Sequence, residues 1–141
     1  MLLTPTRLAI IACTHMVPYY EKGQRMSVPE MEERFNINPR TINPALRTLV
    51  HAGILNSKTG GLDRGYMLAR NPREITIYEI MYAIQGEPKV QCCLEDFGAK
   101  NCDASRYENG RCNVFNKLNE VMEIARREIS KINLYDQYYK K

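Results

Sequence analysis

Four of the five cysteines of the 141-residue chain lie in one stretch of its second half, at Cys92, Cys93, Cys102 and Cys112. A cysteine thiolate can act as a nucleophile, ligate a metal or enter a disulfide. Cys92 and Cys93 are adjacent, eight residues separate this pair from Cys102, and nine separate Cys102 from Cys112, whereas zinc ribbons use close C-x2-C pairs that form half of the site. The spacing leaves open an iron–sulfur cluster, a reactive redox thiol, a loose metal clip or reduced structural cysteines.

A second set of residues has the chemistry to contact a polyanion. Residues 39–51 have a helical pattern, with Ile42, Leu46 and Leu49 on one face. The polar side of this predicted helix carries Arg40, Thr41, Asn43 and Arg47. Arginine can form paired hydrogen bonds with guanine and asparagine with adenine, so this face suits base edges. An ordinary solvated helix face is the alternative interpretation.

Two more cations, Lys58 and Arg64, flank the glycines of the segment 59–65. Short β-prone runs precede and follow this segment, which predicts a hairpin with a glycine-rich, charged tip. A thin cationic hairpin can contact a phosphate row or enter a minor groove. A plain solvated turn is again the alternative.

The elements that must position these residues begin with three helices. Thr4 as N-cap and Pro5 predict a first helix that ends near Pro18. Ser27 with Glu30 three residues later has the spacing of a capping box and opens a short second helix. A turn of about three residues then leads to the helix at 39–51, which is the spacing of a helix-turn-helix.

The order of the remaining elements predicts a winged helix-turn-helix domain over residues 1–86. The hairpin follows the helix-turn-helix directly, and a second capping box at Thr76 and Glu79 opens a helix that stops at Gly86. Residues 87–112 have few large apolar side chains and carry the cysteines, so we expect a functional loop there. The predicted fold is mostly α-helical with one small β-hairpin.

The segment 113–141 is predicted to contain a long helix and a tail. Apolar residues recur at three- and four-residue steps over roughly 20 residues, or about 30 Å of helix. They are Val114, Leu118, Val121 or Met122, Ala125, Ile129 and Ile132. A second copy of the helix would cover this stripe most simply, so we expect a homodimer. Core packing within one chain is the alternative.

Composition and charge limit the class of protein. The chain is 44% hydrophobic with a net charge of +4, typical of a folded globular protein. Residues 1–74 carry ten Lys and Arg against six Asp and Glu, and the remainder carries ten against ten. The excess positive charge therefore lies in the half with the helix-turn-helix, as expected for binding to a polyanion. The apolar run 8–13 is too short to span a membrane, and we expect a cytoplasmic protein. No glycine-rich phosphate loop, H-E-x-x-H or G-x-S-x-G motif is present, so we expect no enzymatic activity.

Several motifs together resemble the Rrf2 family of bacterial winged-helix transcription regulators. Residues 64–70 read Arg-Gly-Tyr-Met-Leu-Ala-Arg and are followed by Glu-Ile-Thr at 74–76, similar to the family's Gly-Gly-Tyr-x-Leu-Ala-Arg and Glu-Ile-Thr. Residues 52–57 are similar to its Ala-Gly-Leu-Val-x-Ser, residues 7–9 to its Arg-Tyr-Ala, and the cysteine positions to its cysteine loop. The resemblance spans nearly the whole chain.

The resemblance implies a homodimer that binds double-stranded DNA. Recognition helices would enter the major groove, with Arg40, Thr41, Asn43 and Arg47 near the bases. Wings would touch the minor groove, with Lys58 and Arg64 on the backbone. Through the cysteine loop such proteins often sense iron–sulfur status, nitric oxide or redox state. The resemblance thus implies a [2Fe–2S] or [4Fe–4S] cluster on ligands drawn from the four cysteines Cys92, Cys93, Cys102 and Cys112.

The sequence also departs from the family pattern. The wing is about one residue longer, Arg64 replaces the first glycine of the Gly-Gly-Tyr motif, and the cysteine spacing is longer. Family clusters take a fourth ligand either from an acidic residue in helix one or from a histidine three positions after the third cysteine. Arg7 and Phe115 occupy those positions and cannot ligate iron. The alternative function is therefore a winged-helix DNA-binding protein without a cluster, acting through a thiol switch, a protein partner or no effector.

Overall fold

The computed structural model describes residues 2–88 and 112–140 and confirms a mostly helical fold with one antiparallel hairpin. Its elements are α1 (Thr4–His15), α2 (Val17–Glu21), α3 (Val28–Phe35), α4 (Pro39–His51), β1 (Leu55–Lys58), β2 (Gly65–Leu68), α5 (Ile77–Gln85), α6 (Asn113–Ile129) and α7 (Leu134–Tyr139). Two compact units are present, one formed by Met1–Gly86 with Ile129–Lys141 and the other by Glu87–Glu128. Within the described ranges, no helix is long and apolar enough to cross a membrane.

Side-chain caps start three of the helices where the sequence predicts them. The Ser27 side chain accepts a hydrogen bond from the Glu30 N–H at 3.3 Å, and Asn38 accepts one from the Arg40 N–H at 2.9 Å. Thr76 and Glu79 form both bonds of a capping box. Each cap satisfies an N–H group that has no partner inside its helix. These caps fix where the two helices of the helix-turn-helix begin.

The predictions for the first helix were wrong at both ends. The N-cap of α1 is Leu3, and Thr4 is already helical. The predicted single helix is interrupted at Met16, and Pro18 lies in the first turn of α2. Proline is tolerated in a first turn because the N–H that it lacks would have no helical partner there. Pro18 therefore begins a helix rather than ending one.

The core of the first unit lies between α1, α4 and α5. Residues with no more than 2% exposure include Ala9, Ala12, Cys13, Met16, Ile42, Leu46, Leu49 and Ile80. They follow the three- and four-residue spacing of the sequence pattern, so each helix buries one face and leaves the other exposed. The exposed face of α4 is thereby fixed by the burial of its opposite side.

The hairpin pairs Leu55 with Leu68 and Lys58 with Gly65, and a further short contact attaches it to the domain. Met26, just before α3, bridges to Tyr66 through two backbone hydrogen bonds of 2.8 and 2.9 Å. Gly65 makes this approach possible, because a Cβ atom there would lie 2.6 Å from the Met26 carbonyl oxygen. The hairpin is thus fixed to the segment that leads into α3.

Replacing Gly65 by alanine is expected to lower the free energy of unfolding by about 1–3 kcal/mol, because the methyl group would collide with backbone and φ at this position is +132°. Gly60 is the matched control, since its φ is also positive but an added Cβ would meet nothing within 4 Å. Gly60→Ala should cost only about 1 kcal/mol. Urea unfolding of both variants measures the difference, and equal costs would contradict the close approach.

The C-terminal residues do not continue the long helix, which ends at Ile129 rather than reaching Ile132. Asn133 instead caps α7, accepting a 2.8 Å hydrogen bond from the Asp136 N–H. Leu134 is fully buried in the core of the first unit, and its N–H donates to the Ile75 carbonyl at 2.9 Å. This burial explains the end of the long helix, because α7 packs on α1 and α2 only if the chain turns first.

In the second unit, α6 extends over 17 residues, about 25 Å at the usual rise. Val114, Leu118, Val121 and Ile124 are between 47% and 67% exposed. Arg126 forms ion pairs with Glu123 and with Glu87, the latter at 2.6 Å. The amphipathic helix predicted from residue 113 is therefore present, with an apolar stripe open to solvent in the single chain.

Candidate nucleic-acid interface

The exposed face of α4 carries two of the four residues predicted to meet bases. Each residue of an α-helix is rotated by about 100° around the helix axis from the one before it. On this basis Arg40, Pro44 and Arg47 all lie within roughly 40° of the side of α4 that is directly opposite the buried Ile42. All three are exposed, and neither arginine forms an ion pair within the described part of the chain. Both guanidinium groups are therefore available to an external ligand.

Thr41 and Asn43 lie at the two edges of this face, about 100° from the buried Ile42 on either side, and both are half-buried. Thr41 lines a groove with Pro5 at the start of α1 and Ile84 near the end of α5. A ligand in front of α4 would meet Arg40 and Arg47 first and these two residues only along its margins.

Pro44 does not interrupt α4, which is continuous from Pro39 to His51. Proline lacks an N–H group, so the helical hydrogen bond to the Arg40 carbonyl is missing. The Thr48 hydroxyl donates to the Pro44 carbonyl at 3.0 Å within the following turn. The buried side of α4 holds the helix together across the proline.

A polar cluster that the sequence analysis did not identify positions α3. The Tyr19 hydroxyl donates to Glu30, and Arg34 donates to the Tyr19 oxygen at 3.0 Å. The hydrogen bond to Glu30 raises the pKa of Tyr19, with burial and the Glu30 charge acting in the same direction. Arg34 also lies 4.9 Å from the centre of the Phe35 ring. These contacts fix α3 against α2 directly before the turn at Asn36, whose φ is +54°.

The cations of the hairpin differ in their surroundings. The Lys58 ammonium donates to the Asp63 carboxylate at 2.8 Å across the tip. This bond lowers the pKa of Asp63, so the carboxylate remains charged at neutral pH. Arg64 is exposed and has no ion-pair partner among the described residues. To bind an external anion, Lys58 must therefore give up its ion pair with Asp63, whereas Arg64 has no such pair to give up among the described residues.

Arg25 adds a third cation beside the hairpin that the sequence analysis missed. Its guanidinium lies 3.4 Å from the Asn56 amide oxygen on β1, and its field also lowers the pKa of Asp63. The Nη1 atom is buried without a hydrogen-bond partner among the residues described. The base of the hairpin therefore has more positive charge than Lys58 and Arg64 alone provide.

The predicted cysteine site lies largely outside the described residues. Cys92, Cys93 and Cys102 are in that part of the chain, whereas Cys112 precedes α6 and its sulfur accepts a 3.3 Å hydrogen bond from the Phe115 N–H. Cys13 is fully buried, as the sequence predicts, and burial raises its pKa to about 12. Cys13 is thus an unreactive core thiol at neutral pH.

The described residues do not complete a ligand set for an iron–sulfur cluster. They contain no group of three His, Cys, Asp or Glu side chains that could hold a metal ion. Phe115 presents a phenyl ring, and Arg7 donates to Thr4 at 3.1 Å; neither side chain can ligate iron. Of the four cysteines predicted as cluster ligands, only Cys112 lies in the described part of the chain.

A helix-turn-helix whose second helix exposes arginines, followed by a cationic hairpin, defines the winged-helix class of DNA-binding regulators. The family model for Rrf2, described as "Iron-dependent Transcriptional regulator", matches residues 2–139. The chain therefore belongs to the Rrf2 family and is a transcriptional regulator rather than an enzyme. Regulators of this family bind DNA and are typically dimers.

Individual relatives agree with this assignment. The chain is 26% identical over 117 residues to the "Putative HTH-type transcriptional regulator YffB" of Lactococcus lactis, covering 80% of this chain and 71% of that one. The structure of CymR (YrzC), the global cysteine regulator of B. subtilis, matches with a TM-score of 0.70 at 19% identity, covering 100% and 98% of the two chains. IscR of T. potens matches with a TM-score of 0.70 at 18% identity, covering 97% and 85%. At these identities the two structures support the fold alone.

Proposed function

We propose that this regulator binds a two-fold symmetric operator as a homodimer, with α4 in the major groove and the hairpin at the minor groove. The observation that carries the proposal is the pair of exposed arginines on α4, Arg40 and Arg47, directly followed in the chain by a hairpin bearing Lys58 and Arg64. Arg40 and Arg47 would read base edges, Thr41 and Asn43 would contact the margins of the groove, and Lys58 and Arg64 would bind phosphates.

The apolar stripe of α6 supports the dimer. Val114, Leu118, Val121 and Ile124 are exposed in the single chain, and burying them against a second copy would remove this surface from water. Two chains joined in this way would present two α4 helices to one duplex. The division into a DNA-binding domain (1–86), a sensor segment (87–112) and a dimerisation helix with its tail (113–141) belongs to this proposal, although residues 129–141 pack with the first unit.

Selection of bound duplexes from a random pool tests this proposal. We expect recovered sequences with two inverted half-sites whose centres lie about one helical turn, or a multiple of it, apart. Recovery of a single asymmetric site, with a footprint of one half-site, would contradict a dimer that reads DNA in this way.

Replacing Asp63 by asparagine is expected to raise the affinity for every DNA sequence by about two- to fivefold, because Lys58 then binds phosphate without first giving up an exposed ion pair. Fluorescence anisotropy with labelled duplexes measures the change. In a Lys58→Ala background the same substitution should have little effect. An equal gain in that background would show that Asp63 acts by general repulsion and not through Lys58.

We further propose that the cysteine segment sets the DNA affinity in response to a redox or iron–sulfur signal. Support comes from the four cysteines of the segment, the position of Cys112 at the start of α6 and the family's description as iron-dependent. Arg7 and Phe115 stand where family clusters take their fourth ligand, and this departure favours a thiol switch without iron. The proposed dimer helix begins at this cysteine, so a change there would act at the dimer.

Purification without oxygen, with measurement of visible absorption, iron and sulfide, distinguishes a cluster from a thiol switch. DNA affinity is then compared before and after air exposure for the wild type, Cys112→Ser and the control Cys13→Ala. We expect air to change the affinity of the wild type and of Cys13→Ala, and to leave Cys112→Ser unchanged. An identical affinity of all three proteins in both states would indicate a DNA-binding module without an effector.

A further inference from the structure

The tip of the hairpin presents a leucine that is entirely in solvent. Leu62 has a relative exposure of 108%, whereas the next most exposed large apolar side chain in the described ranges, Val114, reaches 67%. Full burial of a leucine side chain can raise an affinity about tenfold or more. Isolated exposed leucines are common on protein surfaces, so the surroundings of Leu62 decide whether it has a binding role.

The surroundings of Leu62 are narrow and carry more cations than anions. Gly60 and Gly61 precede it with φ of +79° and +82°, so two positions of the tip have no side chain. Lys58 and Arg64 flank the tip, and Asp63, next to Leu62, pairs with Lys58 at 2.8 Å. The apolar side chain therefore lies near Arg64 and near a Lys58 that can exchange Asp63 for a phosphate, a combination that favours the groove of a nucleic acid over an uncharged protein surface.

The hairpin is anchored to the domain directly beside this tip. The Met26–Tyr66 bridge and the close approach of Gly65 to the Met26 carbonyl fix the start of β2 to the segment before α3. The tip residues 59–64 are all exposed and directly precede that anchor in the chain. A wing fixed next to its tip holds the tip in a defined place when α4 occupies the major groove.

We propose that Leu62 is an apolar wedge that enters the minor groove of the operator, opens a base step and bends the duplex. This inference rests on the proposed function. Inserted leucine side chains partly unstack a base step and bend DNA by about 20–90°. Such bending costs least at pyrimidine–purine steps, so Leu62 would add a sequence preference at a position that α4 does not contact.

The experiment compares the full-length wild type with Leu62→Ala, Leu62→Met, Leu62→Lys and, as a control, Leu3→Ala. Leu3 is an exposed leucine just before α1, outside α4, the hairpin and the segment 113–141. Energy transfer between dyes at the duplex ends reports the bend. 2-Aminopurine fluorescence at successive steps near the expected wing position reports unstacking, and anisotropy reports the affinity. Because Leu62 is fully exposed, its variants should keep the wild-type melting temperature.

We expect the wild type, Leu62→Met and Leu3→Ala to bend the duplex and to increase the 2-aminopurine signal at one step. Leu62→Ala should lose both effects and about tenfold in affinity. Leu62→Lys should also lose both effects, while its added charge restores part of the affinity. If Leu62→Ala bent and unstacked the duplex as much as the wild type does, the wedge would be overturned while the proposed function would stand. Failure of the wild type to bind any duplex would instead overturn the proposed function.

Discussion

Replacing Leu134 by alanine is expected to lower the free energy of unfolding by about 2–5 kcal/mol, the range for deleting a fully buried leucine side chain. Leu134 lies in the core that also contains residues of α1 and α4. The cavity left by the truncation would remain largely unfilled because the surrounding helices are held by their own contacts. Urea unfolding followed by circular dichroism measures the change.

Ile132 provides the matched control two residues earlier. It is 41% exposed, so Ile132→Ala should cost about 1 kcal/mol or less. A cost for Leu134→Ala no greater than that of Ile132→Ala would contradict the packing of α7 on the first unit.

The C-terminal segment is structurally part of the first unit. Thr76 and Asn133 form a β-bridge, the Ile77 N–H donates to the Ile132 carbonyl at 2.9 Å, and the Tyr139 hydroxyl donates to Glu21 at 2.8 Å. The chain leaves the first unit after Gly86 and returns to it at Ile129. Four residues, 130–133, connect α6 to α7, which packs against α1 and α2.

Replacing Arg40 by alanine is expected to weaken binding to the operator by about 1–3 kcal/mol and to remove the preference at one base position. The reason is the placement of Arg40 on the exposed face of α4, without an ion-pair partner among the described residues. Binding to a panel of operators with single base changes measures both effects.

Lys58→Ala is the comparison for this experiment, because a phosphate contact carries no sequence information. It should weaken binding to all members of the panel about equally. A uniform loss for Arg40→Ala, with every base preference retained, would contradict its assignment to base reading and place it on the backbone.

The features that the sequence predicted correctly are local. Ser27, Asn38 and Thr76 cap helices because each needs only a side-chain oxygen a few residues before an N–H group. The hairpin and its glycines were predicted for the same reason, since β-prone runs and turn residues are read over short distances.

What the sequence did not predict depends on contacts between distant residues. The apolar stripe of the predicted long helix includes Ile132, and only the packing of α7 on α1 shows that the chain turns after Ile129 and buries Leu134 in the core. The pairing of Lys58 with Asp63 and the approach of Gly65 to Met26 depend on the shape of the hairpin. Thr41 and Asn43 were grouped with Arg40 by type, whereas the exact face of each is set by the burial of Ile42, Leu46 and Leu49.

The salt dependence of wild-type binding, measured with the number of chains per duplex, tests the central claim most directly. Lys58 and Arg64 are the cations assigned to phosphates, about four in two chains, so the slope of log K against log salt should be about −3.6 at about −0.9 per phosphate neutralised. Any arginine of α4 that also contacts a phosphate would make the slope steeper. We predict two chains per duplex and a slope steeper than about −3. A single chain per duplex, or an affinity that does not change with salt, would contradict the claim that this regulator binds DNA as a dimer through these residues.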